Sequence, residues 1–442
     1  MCPRYAVAPE AVNETLARHM LIKGWPMVLD LENSHESWAR DALSGREYLD
    51  MTSFYAATAL GFNHPALSDA ETQARLLRAG TIKVGNPDFH TTFLAEFVET
   101  LANTAAPPEL PHYFFVEGGA LGVENAMKTA FDWKRRKNEA QGRAARGERI
   151  LHFENAFHGR SGYTLSVTNT DRVKTDNFPK FDWPRIPAPA ARFPLQGEHL
   201  AATERAETES LALIDRAFAE HGHDIAAILI EPIQSEGGDN HFRGEFLRAL
   251  RRIADEREAL LIFDEVQSGM GITGKWWCCQ HFDVLPDIIT FAKKMQVGGI
   301  FVSRRIDDVD NVFKIPGRIS STWGGGLVDM VRATRILEVI SSDRLLENAQ
   351  ERGAELLGGL QRLEERFAGT VSNARGRGLL CAVDLPNPEV RHKVLDRSYH
   401  EQLLLLPCGT RSIRFRPHLS IDAELIAEGL ARFERSLAAT LS

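Results

Sequence analysis

The sequence predicts an α/β fold: a large, mainly parallel sheet flanked by crossover helices, with a smaller α+β domain built from both termini. Three observations carry that expectation. Several apolar runs are continuous rather than alternating, the pattern of strands covered on both faces. Helical stretches separate those runs at crossover spacing. The 442 residues are 43% hydrophobic and 25% charged, enough for a large core without disulfide staples.

Residues 1–60 mix helical and short-strand patterns and are assigned to the small domain, with a strand at 48–51 after the Ser44-Gly45 turn. Residues 61–320 are assigned to the large domain, with strands expected at 113–116, 150–153, 226–230, 260–263, 288–291 and 300–302. Ala120, Val123, Met127, Ala130 and Phe131 form a helical stripe, and residues 246–250 open another helix. Between Pro179 and Pro194 five prolines forbid regular structure and predict a long loop. After Trp323-Gly324-Gly325-Gly326 a long helix is expected over 328–339. Residues 321–442 complete the small domain, with a strand near 412–415 and a closing helix from Ala423.

The net charge of −8 argues against sequence-independent binding of nucleic acid, which needs a basic surface. The longest purely aliphatic run, Leu403 to Leu406, is far short of a membrane span, so no membrane partner is expected. The N-terminal stretch lacks the apolar segment of a secretory signal. Cys2, Cys278, Cys279, Cys381 and Cys408 are irregularly spaced and fit reduced thiols in a cytoplasm better than a disulfide framework.

Motif matches that fail on context narrow the chemistry further. Gly269-Met270-Gly271-Ile272-Thr273-Gly274 satisfies a dinucleotide fingerprint, but the residues from Asp264 to Ser268 separate it from its strand and no clean helix follows. Read as a P-loop, the stretch places Trp276 where Ser or Thr must hold Mg²⁺. Gly159-Arg160-Ser161-Gly162-Tyr163 lacks the last glycine of a hydrolase elbow. Cys278, Cys279 and His281 are too crowded for tetrahedral zinc, so buried thiols are expected and no metal.

A different constellation is coherent. Asp264 ends one apolar run, where parallel sheets bind ligands, and Lys293 follows the next, 29 residues later. Pyridoxal phosphate needs a lysine for its Schiff base and a carboxylate facing its pyridinium nitrogen, and these two strand ends supply both. Glu117-Gly118-Gly119-Ala120 joins a strand to a helix and offers free amides to a phosphate dianion. Phe157, after the run 150–153, offers a stacking face.

These pieces occur in a fixed order with Phe157-His158-Gly159-Arg160, Glu231-Pro232-Ile233-Gln234-Ser235-Glu236-Gly237-Gly238, Asp264-Glu265-Val266-Gln267, Ser321-Thr322-Trp323-Gly324-Gly325 and Arg414-Phe415-Arg416-Pro417. The chain thereby resembles a class III pyridoxal-phosphate-dependent aminotransferase of fold type I over nearly its whole length. Gly118-Gly119-Ala120-Leu121, Phe178-Pro179-Lys180-Phe181-Asp182-Trp183-Pro184 and the Lys293-Lys294 doublet resemble the lysine 6-aminotransferase branch of that family.

The resemblance implies that Lys293 carries pyridoxal 5'-phosphate and later moves the proton at the reacting carbon. Lys294, adjacent on a strand, must point elsewhere. It implies Asp264 at the pyridine nitrogen, Gln267 at the ring oxygen, Phe157 on the ring with His158 supporting its loop, and the Gly119 and Ala120 amides on the phosphate. Thr322 reaches the phosphate of a neighbouring subunit in such enzymes, implying a homodimer with shared active sites; capping of the following helix is the alternative for this residue. Arg160 would hold the carboxylate of L-lysine, and Arg414 the α-carboxylate of glutamate or 2-oxoglutarate. Glu236 would neutralise Arg414 while lysine reacts and swing away for the dicarboxylate, its flanking glycines allowing the motion. The implied reaction moves the ε-amino group of L-lysine to 2-oxoglutarate, giving L-glutamate and 2-aminoadipate 6-semialdehyde. Another ω-amino donor (ornithine, 4-aminobutyrate or a diamine) stays open, as does a same-fold aminomutase or racemase. Ala292, Gly326 and His418 stand where the family pattern has Gly, Asn and Pro, departures that bear on substrate fit.

Overall fold

The computed structural model describes residues 5–441; Cys2 lies outside them. Seven strands form the main sheet: β1 (His112–Val116), β2 (Arg149–Phe153), β3 (Arg185–Ile186), β4 (Ile225–Ile230), β5 (Leu260–Asp264), β6 (Ile288–Phe291) and β7 (Gly298–Val302). Their order is β1-β7-β6-β5-β4-β2-β3. Every residue of β4, β5, β6 and β7 is buried, which is why these segments read as unbroken apolar runs. The pairs β6–β5, β5–β4, β4–β2 and β2–β3 are parallel, but β7 runs antiparallel to both β6 and β1. The reason is length: residues 292–297 are too few for the crossover that a parallel return requires.

The proline-rich stretch departs from expectation. It is mostly irregular, yet Arg185–Ile186 pairs with His152 and Phe153 as the sheet's edge strand. Pro184 and Pro187 flank the pair, and an edge position spares them the ladder bonds they cannot make.

Helix α1 (Gly119–Ala140) packs its Val123, Met127, Ala130 and Trp133 stripe against Ile150, Leu229, Ile262 and Ile300 of the sheet. A second apolar cluster fills the opposite face. Each of the larger side chains contributes about 1.5–3 kcal/mol of burial, so α1 is held with its N-terminus at the carboxyl end of β1. The helix after the glycine run spans Leu327–Ser342 and starts at Gly326, so Thr322 does not cap it.

Elements from both ends of the chain interleave. The strand Glu47–Asp50 pairs with Trp38–Arg40 on one side and Leu403–Leu404 on the other. Beside it Ser372–Arg377, Leu380–Asp384, Ser412–Phe415 and Leu406–Cys408 form an antiparallel sheet. No helix among the described residues is long and apolar enough to cross a membrane.

The glycine-rich stretch 269–274 is a packed turn. A Cβ on Gly269 would stand 2.6 Å from the Trp277 ring, and one on Gly274 would stand 2.2 Å from Gln350 Cγ. These glycines permit close packing of side chains.

Candidate active site

The carboxyl ends of β5 and β6 and the N-terminus of α1 meet at a cavity of about 1050 Å³. Gly119, Ala120, Phe157, Arg160, Glu236, Asp264, Gln267 and Lys293 all line it. Arg414 and Thr322 do not.

At one end, Gly118 (φ +85°) opens α1, and no side chain caps the helix. The amides of its first turn therefore face the cavity unpaired, with the positive end of a 22-residue helix behind them. A Cβ on Gly119 would lie 2.9 Å from Val266 Cγ1 and 3.4 Å from Ala292 Cβ. The turn thus needs glycine against β5 and β6, and Ala292 fills the space beneath it. Such a cradle fits a phosphate.

Asp264 is buried at the end of β5. His158 Nδ1 donates to its Oδ2 at 2.7 Å, while Thr290 Oγ1 and the Val266 amide donate to Oδ1 at 3.1 and 3.0 Å. Three donors fix the carboxylate, and His158, itself fully buried, does more than support its own loop. Glu231 was not singled out by itself from the sequence. Its carboxylate accepts the amides of Phe157 at 2.9 Å and Ser235 at 3.2 Å, tying two cavity walls together. Burial and the neighbouring Asp264 charge push the Glu231 carboxyl well above its usual range.

Lys293 is not on a strand. β6 ends at Phe291, and Lys293 opens a short 3₁₀ turn to Met295 with φ +53°. Nothing among the described residues hydrogen-bonds or ion-pairs with its Nζ. Burial, with the Arg414 cation added, lowers its amine below the ordinary lysine range. Lys294 is buried and donates to the carbonyls of Ala56 at 3.0 Å and Gln267 at 3.2 Å. The two lysines diverge because of the turn, and strand alternation plays no part.

Arg414, on the strand Ser412–Phe415, is almost fully buried. It donates to Glu236 Oε2 at 2.7 Å and Gln267 Oε1 at 3.2 Å, and its guanidinium lies 5.4 Å from the Tyr55 ring. Glu236 and Tyr55 face the cavity and cover it. Tyr55 belongs to Ser53–Ala56, four consecutive residues at positive φ. Lys294 and Gln296 hold the following carbonyls, of Ala56 and Ala57, and Ser53 Oγ donates to Arg416 at 2.6 Å. A strained turn persists only when fixed in this way. No sequence pattern marked it.

Glu236 has a second cation, which the sequence reading missed. Lys174 Nζ lies 2.6 Å from its Oε1 and 5.4 Å from the Phe157 ring centroid. Burial opposes charge on Glu236, but Arg414 and Lys174 outweigh it and bring its pKa down to about 2. Of the flanking glycines, Gly238 sits at φ +130° and Gly237 is closely packed. A Cβ on Gly237 would stand 1.9 Å from the Asn155 carbonyl oxygen, so that glycine serves close packing. Arg160 is exposed on the cavity wall, with no ion pair among the described residues. Gly326 and His418 lie off the wall; His418 is buried between Ser37 Oγ at 2.5 Å and Ser420 Oγ at 2.9 Å.

A buried, unpaired lysine, a fixed carboxylate, an open helix terminus and two arginines can hold a phosphorylated aromatic aldehyde and substrates bearing carboxylates. Comparison with known proteins points the same way. The family model described as aminotransferase class-III matches residues 23–437. The chain is 49% identical over 440 residues to an L-lysine-epsilon aminotransferase of Amycolatopsis lactamdurans, covering 98% of both. It is 32% identical over 400 residues to the human mitochondrial 4-aminobutyrate aminotransferase, covering 85% of this chain and 78% of that one. A solved lysine aminotransferase from M. tuberculosis superposes with a TM-score of 0.96 at 48% identity, covering 98% of this chain and 100% of that one.

Proposed function

The chain belongs to the class-III aminotransferase family, and from that premise we propose that it transfers the ε-amino group of L-lysine to 2-oxoglutarate, forming L-glutamate and 2-aminoadipate 6-semialdehyde. It is a pyridoxal-phosphate-dependent transaminase. The observation that carries the lysine reading is the covered arginine: Glu236 neutralises Arg414 while Arg160 stays open. A donor that presents a bare ε-carbon needs no carboxylate partner there, but needs one at its far end.

When bound, pyridoxal phosphate supplies a carbonyl for the amine and a protonated ring that draws off electrons. Gly119 and Ala120 would hold its phosphate through backbone amides. Asp264, oriented by His158 and Thr290, keeps the proton at the ring nitrogen. Phe157 would cover the ring, and the Gln267 amide nitrogen would serve the ring oxygen, both side chains lining the cavity. Lys293 anchors the cofactor at rest. Once released, its amine would be the base that moves the proton of the reacting carbon. Arg160 holds the lysine carboxylate. For 2-oxoglutarate, Glu236 gives up Arg414 to the α-carboxylate, and the nitrogen leaves as glutamate.

In the same reading the enzyme is a homodimer whose Thr322 completes the partner's phosphate site. Thr322 is exposed and away from its own cavity. The segment that lies against Thr322 at Gly85, and whose Asn86 amide donates to the Trp323 carbonyl, leaves Ile82 and Phe89 68% and 71% exposed, apolar area that a second copy would cover. Cys278, Cys279, Cys381 and Cys408 are buried free thiols, which suits a cytoplasmic setting.

Product analysis with a panel of L-lysine, ornithine, 4-aminobutyrate and a diamine, each with 2-oxoglutarate, tests the proposal. L-lysine should be consumed fastest, with glutamate and the semialdehyde appearing together. Faster turnover of another donor would transfer the assignment to it, and conversion of an amine without 2-oxoglutarate would mean a mutase or racemase.

A further inference from the structure

Glu236 has little freedom to leave Arg414 by moving its backbone. Its carbonyl accepts the Gly409 amide at 2.9 Å. Gly237 is packed on Asn155, and Arg375 holds the carbonyls of Gly238 and Asp239 at 2.5 and 2.9 Å. The Asp239 carboxylate pairs with the buried Arg416. Exchange at Arg414 is therefore a rotation of the Glu236 side chain. A carboxylate turned into the cavity as a dicarboxylate enters meets like charge in a partly desolvated site, which is costly unless a cation receives it.

Lys174 is placed to be that cation. It bridges to Glu236 Oε1 while Arg414 holds Oε2. It ends the short turn Arg172–Lys174, which the Asp171 side chain caps by accepting the Val173 amide at 3.0 Å. The ammonium also rests against the Phe157 ring. We propose that Lys174 is the second station of Glu236: it keeps the displaced carboxylate when 2-oxoglutarate takes Arg414, and so sets the affinity for the dicarboxylate. This rests on the reading above, in which Arg414 receives that substrate. Lys174 acts through Glu236 and is a positioning residue. Its loss takes one of two partners from Glu236 in the covered arrangement but the sole partner in the open one. The balance then moves toward the covered arrangement and the dicarboxylate binds more weakly.

The test is calorimetric binding of glutarate, a dicarboxylate with no keto group, to the holoenzyme and its variants. Glu236→Ala should bind glutarate more tightly than the wild type, because Arg414 is open. Lys174→Met should bind it about tenfold more weakly, the scale of a well-formed ion pair between partly buried groups, and Lys174→Arg should recover most of the loss. In steady state, the Lys174→Met defect should lie in KM for 2-oxoglutarate more than in kcat. Adding Lys174→Met to Glu236→Ala should produce no further weakening. Unchanged or tighter glutarate binding by Lys174→Met overturns the proposal. Weakening of equal size in the Glu236→Ala background also overturns it, because Lys174 would then touch the ligand directly. Failure of Glu236→Ala to tighten binding would overturn the reading of Arg414 as well.

Discussion

Lys293 adopts a left-handed backbone that a non-glycine residue takes at a cost, in a turn that sends its amine into the cavity and that of Lys294 into the protein. Borohydride reduction of the holoenzyme followed by peptide mapping should place the pyridoxyl group on Lys293 alone; label on Lys294 would contradict the geometry. Asp264 is held by three donors and should keep the ring nitrogen protonated. Asp264→Asn should therefore retain cofactor but slow the lysine half-reaction by about a hundredfold or more, measured by stopped-flow absorbance. Wild-type rates would remove Asp264 from the ring nitrogen. The placement of these two residues was legible because both follow unbroken apolar runs. Lys174 and Tyr55 were not: their partners lie 62 residues away at Glu236 and hundreds away at Arg414, and an isolated lysine or tyrosine carries no periodic signal.

At the scale of elements, β5 ends on Asp264 and is followed at once by Glu265, two buried carboxylates that point to different places. Asp264 faces the cavity, while Glu265 turns into the core, where it accepts the amides of Cys278 and Cys279 at 2.6 and 2.8 Å. Burial pushes Glu265 from 4.5 up to about 7, the amide bonds offsetting only part of it. The folded protein thus holds a proton that the unfolded chain releases above its ordinary pKa. Stability attributable to this group falls as pH rises from about 4.5 to about 7, by about 3 kcal/mol, and is level above. Glu265→Gln should flatten that slope in denaturant unfolding at pH 5 and pH 7.5, and an unaltered slope would mean that the carboxyl ionises normally. The strands themselves were legible wherever both faces are covered. The strand at 300–302 was legible too, but its antiparallel direction was not, because its residues look like those of its parallel neighbours and only the short link from β6 betrays it. Gly237 misled for a related reason: sequence shows that a glycine is present, and only packing shows that Asn155 occupies the space a side chain would need.

At the scale of the molecule, the strand Ser412–Phe415 places Arg414 behind Glu236, which lines the cavity at the carboxyl ends of β5 and β6. A dimer would add Thr322 to the partner's site. Mixed dimers of a Lys293→Ala chain and a Thr322→Ala chain should then contain one site with both residues intact, and activity should exceed that of either parent homodimer mixed with itself. No gain on mixing would keep Thr322 in its own subunit. The central claim, transfer of the ε-nitrogen of lysine, is tested most directly with L-lysine labelled with ¹⁵N at the ε position and unlabelled 2-oxoglutarate. Mass spectrometry should find the label in glutamate and none in the semialdehyde or its cyclised form; label retained in the lysine-derived product, with unlabelled glutamate, would contradict the account.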